Sequence, residues 1–229
     1  MLTFLEKRSE QLTELMEDPN CDKKELFNTY EQFSHVNGLI SRWKTLFDAY
    51  IAPLAGRKTL TILDIGCGGG DICLKFAEWG EQKNLDLSIT GIDPDPRAIE
   101  YTKTLNVPEN VEFRQKTSTS LVRNREYFDV VISNHLIHHM KNSELLEICR
   151  ETEAITRKLA LFNDIRRSKI GYTAFACASP VVYRSSFIVQ DGKTSIRRSF
   201  TYRELKRIVP PPWKVKKLFP FRLLLVYEV

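Results

Sequence analysis

The most informative stretch of the sequence is a glycine-rich turn between an apolar run and a helix-like run. It reads LDIGCGGGD at positions 63–71 and follows the β-branched segment TLTI. Glycines at a strand-to-helix turn let the backbone bend sharply and approach a ligand closely. The helix that starts near Asp71 directs its free N–H groups and the positive end of its dipole at that ligand. The pattern therefore predicts a turn that binds a carboxylate or a phosphate.

A second acidic position sharpens this prediction. Asp93 ends the next predicted strand, 27 residues after Gly66, and an acid there can accept hydrogen bonds from both hydroxyls of a ribose. Asp64 stands two residues before Gly66, which disfavours a pyrophosphate and suits a ligand that carries an ammonium group. The spacing also departs from the dinucleotide fingerprint G-x-G-x-x-G. S-adenosylmethionine has a ribose, an ammonium, a carboxylate and a sulfonium, and it fits the pattern; the alternative is a tight turn that binds nothing.

Three histidines follow a later apolar strand, in the stretch SNHLIHHM. The ligand crevice of an open parallel sheet lies at the carboxyl ends of its strands, which places this stretch beside the ligand of the glycine turn. If that ligand is S-adenosylmethionine, which donates a methyl group, positioning supplies much of the catalysis, and a base is needed only where the acceptor loses a proton. We expect His135 and His139 to be the bases; packing at the strand end is the alternative for each. No carboxylate or cysteine stands beside them at ligand spacing, so no metal is expected.

The elements that must position these residues alternate along the chain. Strands alternating with helices predict an α/β fold, a Rossmann-like doubly wound sheet of seven strands, mostly parallel with an antiparallel C-terminal pair. The predicted strands are Thr59–Ile65, Leu85–Ile92, Val111–Gln115, Phe128–Ser133, Leu159–Asp164, Trp213–Phe219 and Phe221–Val229. The predicted helices are Asp71–Trp79, closed by Gly80, then Pro96–Thr104, Asn142–Lys158 and a short helix after Thr201.

Two segments stand outside this alternation. Residues 1–56 are predicted as a helical cap, with a first helix through Leu12 and Met16 and a break at Asn37-Gly38; residues 57–229 form the main domain. Residues 166–199 are a predicted lid insertion, with a turn at Asp191-Gly192. Together the cap and the lid are expected to line an aromatic acceptor site or, alternatively, to form only the core of an added layer. The candidate substrate-binding residues are Tyr30, Phe33, His35, Asn163 and Tyr172.

Three segments together resemble class I S-adenosylmethionine-dependent methyltransferases. They are LDIGCGGGD, GIDPDPRAIEYTK and FDVVISNHLIHHM, and the resemblance covers Leu60 to about Asp164. It is nearest to the small-molecule branch that includes the ubiquinone/menaquinone methyltransferases. The motifs are specific for the class and say nothing about the acceptor.

The resemblance implies a role for each matching residue. The methionine part of the cofactor would lie along the backbone of Gly66, Cys67 and Gly68, and Asp64 would bind its ammonium group. Asp93 would bind the ribose, Pro94 would pack on adenine, and Asn134 would lie near the transferred methyl. Thr117 stands where relatives carry an aspartate near the adenine amine, so backbone groups of Thr117 and Ser118 would replace that contact.

The composition of the chain restricts its structural class and the compartment expected for it. The chain has 229 residues, of which 42% are hydrophobic and 28% charged, which excludes disordered and fibrous classes. Five cysteines without Cys-x-x-Cys spacing argue against a disulfide scaffold and for a reducing, cytoplasmic compartment. The N-terminus has no signal-peptide pattern, and the longest apolar stretch, Ile170–Tyr183, is too short to span a bilayer.

The charge is uneven along the chain. Residues 164–229 hold 14 Lys and Arg against 4 Asp and Glu, a net of +10, and the rest hold 20 against 25, a net of −5. A basic third is compatible with RNA or protein methylation, or with arginines that organise a pocket. We expect the pocket, hence a small-molecule acceptor, no nucleic-acid partner, and a monomer or homodimer. A cofactor-binding module without catalysis is the non-enzymatic alternative.

Overall fold

The structure is a computed structural model that describes residues 3–229, apart from the side chain of Leu39. Its centre is a seven-stranded sheet in the order β3-β2-β1-β4-β5-β7-β6. Strands β1 to β5 are parallel, and β7 lies antiparallel to both β5 and β6. This confirms the predicted doubly wound sheet. The strands are β1 (Leu60–Ile65), β2 (Leu87–Asp93), β3 (Val111–Gln115), β4 (Phe128–Asn134), β5 (Thr156–Ile165), β6 (Lys214–Leu218) and β7 (Arg222–Glu228).

The central strands are buried on both faces because helices cover each side of the sheet. Along β1, Ile62 packs into one hydrophobic core and its neighbour Leu63 into the other. In β4, Val130 packs into the first of these cores and Val131 into the second. Continuous apolar runs are what a doubly covered parallel strand requires. The helices of this domain are α3 (Asp71–Gln82), α4 (Pro96–Thr102), α5 (Ser118–Asn124), α6 (Asn142–Ile155) and α9 (Tyr202–Ile208).

Several elements differ from the sequence-based expectation, and three of the differences have a clear local origin. Helix α3 continues through Gly80, where an added Cβ would meet Leu87, so this glycine serves helix-to-strand packing rather than helix termination. Helix α5 was not expected from the polar segment that forms it. Helix α6 ends at Ile155, and β5 begins at once with the β-branched Thr156, which shortens the predicted helix by three residues.

The N-terminal region contains one long helix, α1 (Lys23–Ile40), followed by the single turn α2 (Trp43–Leu46). Asp22 is the N-cap of α1, and its side chain accepts a hydrogen bond from the Glu25 amide at 2.9 Å. The predicted break at Asn37-Gly38 is wrong; the chain turns at Arg42, which has a φ of 60°. The predicted first helix is also wrong, since only short 3₁₀ turns occur at Thr3–Leu5 and Leu15–Glu17.

The segment of residues 3–17, here called the N-terminal strap, lies across the sheet's carboxyl edge. Arg8 donates hydrogen bonds to the carbonyls of His138 and Met140. The backbone amides of Leu15 and Met16 donate to the Asp191 carboxylate at 2.7 and 3.0 Å. Polar contacts to distant residues, not local helix formation, therefore position the strap.

The insertion is a helical hairpin of α7 (Lys169–Val182) and α8 (Ile188–Arg198). The predicted turn at Asp191-Gly192 is wrong because both residues lie inside α8. Asp191 is 3% exposed and binds the strap, and Gly192 faces the ring of Phe175 where the two helices cross. Among residues 3–229, no helix is both long and apolar enough to cross a membrane.

Candidate active site

The glycine turn between β1 and α3 has a specific shape that glycine adopts without strain. Gly66, Gly68 and Gly70 all have positive φ, at 70°, 52° and 78°, a region that residues with a Cβ rarely adopt. The amides of Gly66 and Cys67 donate to the Ile92 carbonyl at 2.9 and 3.0 Å. The turn is therefore fastened to the end of β2 before any ligand arrives.

Asp93 at the end of β2 completes this arrangement. Its carboxylate accepts hydrogen bonds from the amides of Gly68 and Asp95, both at 2.9 Å. Burial raises the pKa of this carboxyl above its ordinary value. Two fixed donors orient the group, and its remaining lone pairs face the same cavity as the glycine turn. That geometry suits a ligand with neighbouring hydroxyls.

Asp64 carries an unusual polar group for a folded interior. It is 2% exposed, its Oδ1 has no hydrogen-bond partner among the described residues, and Oδ2 is contacted only by the Cys73 thiol at 3.5 Å. Burial, with the neighbouring Asp71 carboxylate, raises the pKa of Asp64 well above its ordinary value. An unpaired buried acceptor is costly, and a cationic group at this position would remove the cost.

These groups open onto one cavity of about 600 Å³, a volume typical of small-ligand sites. Of the residues expected to bind the cofactor, the cavity is lined by Asp64, Gly66, Cys67, Gly68, Asp93 and Asn134. Pro94, Thr117 and Ser118 are not among its lining residues. Thr117 instead caps α5 by accepting from the Ser120 amide, and the Ser118 hydroxyl donates to Glu151.

The rest of the cavity is mainly apolar and is closed by α1, the α7–α8 hairpin and the strap. Tyr30 and Phe33 line it as expected, and sequence reasoning missed several other apolar lining residues, namely Met16, Val36, Ile40, Leu136, Ile188 and Phe221. The structure does not bring the other three substrate candidates to the cavity. His35 is exposed, Asn163 is buried and donates to the Ser41 carbonyl, and Tyr172 packs on Phe4 at 5.2 Å.

His135 lies at the cavity but is engaged by a buried arginine. Its Nε2 is 2.6 Å from Nη1 of Arg222, and because a guanidinium only donates, this imidazole nitrogen must be the acceptor. Burial and the Arg222 charge hold the pKa of His135 well below its usual range. Arg222 also donates to Asn134 Oδ1 at 2.7 Å. This arrangement makes His135 a neutral, oriented ring.

His138 and His139 lie in a cluster of carboxylates. His138 Nδ1 is 2.7 Å from Asp164 Oδ1, and its Nε2 is 3.3 Å from Glu14 Oε1. Burial alone would lower the pKa of His138, but the two carboxylates outweigh it and raise the pKa to about 9. His139 Nδ1 contacts Glu17 Oε1.

The sequence-based search for carboxylates beside the histidines could not find these strap residues. Glu17 precedes His139 by 122 residues, and the search considered only spacing along the chain. The strap then brings Glu14 and Glu17 to the histidines in space. No local pattern signals such a contact.

The fold and the site agree with one family match. The doubly wound sheet has an antiparallel last strand, a glycine turn after β1 and an acid at the end of β2. A family model described as a methyltransferase domain matches residues 62–158. That match covers the part of the chain that contains the glycine turn, Asp93 and the histidines.

Curated relatives agree with this match. The ubiquinone biosynthesis O-methyltransferase of Methylobacterium sp. (strain 4-46) is 34% identical over 114 residues, 48% of this chain and 41% of that protein. The enzyme of the same name from Pseudomonas fluorescens (strain Pf0-1) is 35% identical over 100 residues, 42% of this chain and 39% of its own. The alignments thus span about two fifths of these relatives' length.

Solved structures share the fold. The plantazolicin methyltransferase BpumL in complex with SAH has a TM-score of 0.61 at 16% identity, over 93% of this chain and 92% of that one. Human N-acetylserotonin methyltransferase in complex with SAM has a TM-score of 0.62 at 10% identity, over 90% of this chain and 56% of that one. At these identities the likeness concerns architecture, and it includes the cap and lid regions as well as the sheet.

Proposed function

We propose that this protein transfers a methyl group from S-adenosylmethionine to a hydrophobic small molecule. One observation carries the proposal: the unpaired Asp64 Oδ1, the glycine turn and Asp93 face a single cavity that continues into an apolar chamber. The first part suits an ammonium, a carboxylate and a ribose, and the second suits an apolar acceptor. The domain match and the relatives support the same reaction class.

The chain's residues fit the cofactor group by group. Asp64 would take the ammonium, the positive-φ glycines would let the methionine portion pass close to the backbone, and Asp93 would hold the ribose hydroxyls. S-adenosylmethionine, when bound, supplies a methyl carbon attached to a sulfonium. A lone pair or carbanion of the acceptor attacks that carbon in line, the carbon–sulfur bond breaks, and its electron pair returns to sulfur.

The chamber supports an aromatic or phenolic acceptor. Its walls carry Phe33, Phe175, Tyr183 and Phe221 among aliphatic side chains, and such walls favour flat, apolar molecules. Both O- and C-methylation are compatible with this surface. The names of the curated relatives favour oxygen.

Where the acceptor must lose a proton, we assign that task to the cluster around His138 and His139. His135 was an expected base, but its Nε2 already faces a permanent cation. It is better suited to orient the acceptor through its other nitrogen. His139 lines the cavity and is paired with Glu17, so the second expected base stays in the proposal as part of the cluster.

Calorimetry tests the part of the proposal that concerns binding of S-adenosylmethionine. Asp93→Ala and the milder Asp93→Asn should raise the Kd for S-adenosylmethionine at least roughly tenfold, because hydrogen bonds to a charged partner contribute about 1.5–3 kcal/mol each. Asp86→Ala is the matched control; Asp86 precedes β2 at its other end and contacts only Thr59 among the described side chains. Wild-type protein without S-adenosylmethionine binding, or equal binding by the Asp93 variants, would contradict the proposal.

A transfer screen tests the acceptor half. Labelled S-adenosylmethionine is offered with phenols and quinols of increasing size, and label in the organic phase is counted. We expect transfer to apolar aromatic hydroxyls. A chain that binds the cofactor but labels none of them would fit the catalytically silent module instead.

A further inference from the structure

Two imidazole rings and one carboxylate converge on a point at the cavity wall. Nε2 of His138 lies 3.3 Å from Glu14 Oε1, and Nε2 of His139 lies 4.0 Å from Glu14 Oε2. One ligand atom from each of the three residues falls within 4.8 Å of the others. All three residues line the cavity described above.

The outer nitrogen of each ring faces a second carboxylate. Nδ1 of His138 is 2.7 Å from Asp164, and Nδ1 of His139 contacts Glu17. An Nδ1–H donated to a carboxylate orients the ring, and a metal ion would replace the proton on Nε2, which is the usual arrangement of a metal-bound histidine. His138 Nε2 is itself buried and, although near Glu14, makes no hydrogen bond within the described part of the chain.

We propose that Glu14, His138 and His139 bind a divalent first-row transition metal ion, with Asp164 and Glu17 orienting the two rings. Two imidazoles and one carboxylate are a donor set that Zn²⁺ and Fe²⁺ accept. Bonds of about 2.0–2.2 Å place neighbouring ligand atoms roughly 3.0–3.6 Å apart. The distance from His138 Nε2 to Glu14 Oε1, 3.3 Å, already lies in this range. The distance from His139 Nε2 to Glu14 Oε2 is 4.0 Å, and the His139 side chain, which is 28% exposed, would move slightly to shorten it.

Three protein ligands would leave open positions on such an ion, and all three ligand residues line the cavity. With the ion bound, the Nε2 atoms of His138 and His139 are occupied, so the cluster would act through the ion and not as a base. The ion would lower the pKa of a bound acceptor hydroxyl, whose proton would leave to solvent. This role rests on the proposed methyl transfer. The metal site itself does not, because its ligands are separate from Asp64, Asp93 and the glycine turn.

Metal binding is measured on the whole chain with Zn²⁺ alone, in a Cys177→Ser background that removes an exposed free thiol. We expect one Zn²⁺ per chain by elemental analysis after dialysis. Glu14→Gln and His139→Gln should each weaken the affinity by roughly 10- to 100-fold, and Asp164→Asn should weaken it as a loss of ring support. Co²⁺ in place of Zn²⁺ should give an absorption spectrum of nitrogen and oxygen ligation without a thiolate band.

Glu10→Gln is the matched control, since it makes the same change in the same strap at an exposed side chain. It should bind Zn²⁺ as wild type does. Absence of stoichiometric Zn²⁺, or equal Zn²⁺ binding by folded Glu14→Gln and His139→Gln, overturns the site and leaves an ion-pair cluster. S-adenosylmethionine affinity is measured on the same samples, so a chain that binds the cofactor and no Zn²⁺ refutes this inference alone.

Discussion

Asp64 shows at the scale of one residue how a binding site costs stability. The glycine turn and Asp93 have hydrogen-bond partners within the fold, but Asp64 Oδ1 has none in the described part of the chain. Its raised pKa means that ionisation opposes folding. Stability linked to Asp64 is therefore complete below its ordinary pKa and is lost as pH rises through the raised folded value.

Asp64→Asn should stabilise the cofactor-free protein while removing cofactor binding. The variant keeps the side chain's shape and has no charge to bury, so its advantage over wild type should grow as pH rises, towards about 1–3 kcal/mol, the cost of an unsatisfied buried group. Urea denaturation at several pH values measures the difference, and calorimetry measures the lost S-adenosylmethionine affinity. A variant that is less stable at every pH would contradict this account.

Asp129→Asn provides a control of opposite sign. Partial burial alone would raise the pKa of Asp129, but hydrogen bonds from Thr61 and the Lys158 ammonium hold it below its ordinary value. Its stabilising contribution is present above the ordinary pKa and fades as pH falls through the lowered one. The asparagine variant should thus be less stable than wild type at neutral pH and converge with it in acid.

Residues that act within one local motif could be predicted from the sequence. Asp64, Gly66, Gly68 and Asp93 occupy fixed places in a strand–turn–helix unit, so their types and spacing were sufficient to place them at one cavity. Glu14 could not be predicted in the same way. Its contact with His138 depends on how the strap crosses the sheet, and nothing local encodes that path.

At the scale of elements, the sheet and the position of the insertion were predictable, but the two helices inside the insertion were not. Each strand of the sheet is an apolar run bounded by turn residues, and the alternation with helices fixes the parallel topology. Helix α8 reads as a turn because Asp191-Gly192 has turn composition. Tertiary contacts favour a helix here in spite of that composition. Asp191 accepts hydrogen bonds from two strap amides, and Gly192, which has no Cβ, leaves space for the Phe175 ring.

Gly192→Ala should destabilise the protein although alanine favours helices. The substitution in an open helix stabilises by about 1 kcal/mol, but here the new Cβ would lie 2.3 Å from the Phe175 ring. The ring must shift, and overpacking of this kind costs about 1–3 kcal/mol. Thermal denaturation measures the change, and Lys193→Ala at the next position should be near neutral.

A second substitution distinguishes this clash from other effects of the alanine. Phe175→Leu in the Gly192→Ala background should restore part of the lost stability, because the smaller side chain frees the crossing. Phe175 also lines the cavity, so a displaced ring should slow transfer to the bulkiest acceptors first. A Gly192→Ala variant with a higher Tm than wild type would show that the contact between α7 and α8 can accommodate a Cβ without strain.

At the scale of the whole molecule, three arginines of the basic third are buried and make contacts inside the fold. Arg167 is buried and donates to the carbonyls of Leu5 and Ser199. Arg198 pairs with Glu17 of the strap, and Arg222 holds His135. These arginines of the basic third join the strap, the lid and the last strand to the sheet. These three arginines are therefore used in the architecture around the cavity, and the exposed lysines and arginines of the same third are the ones that a polyanion could contact.

RNA binding should be weak. Fluorescence anisotropy with a labelled single-stranded RNA should give a Kd no tighter than non-specific binding at physiological salt, about 10⁻⁴–10⁻⁶ M. The slope of log affinity against log salt should correspond to few phosphate contacts, because each contact on single strands adds about −0.7. Lys214→Gln with Lys216→Gln removes two exposed ammonium groups, which contact Glu228 and Tyr50, and should weaken the remaining binding further. A steep slope with tight binding would instead assign the basic third to a nucleic-acid acceptor.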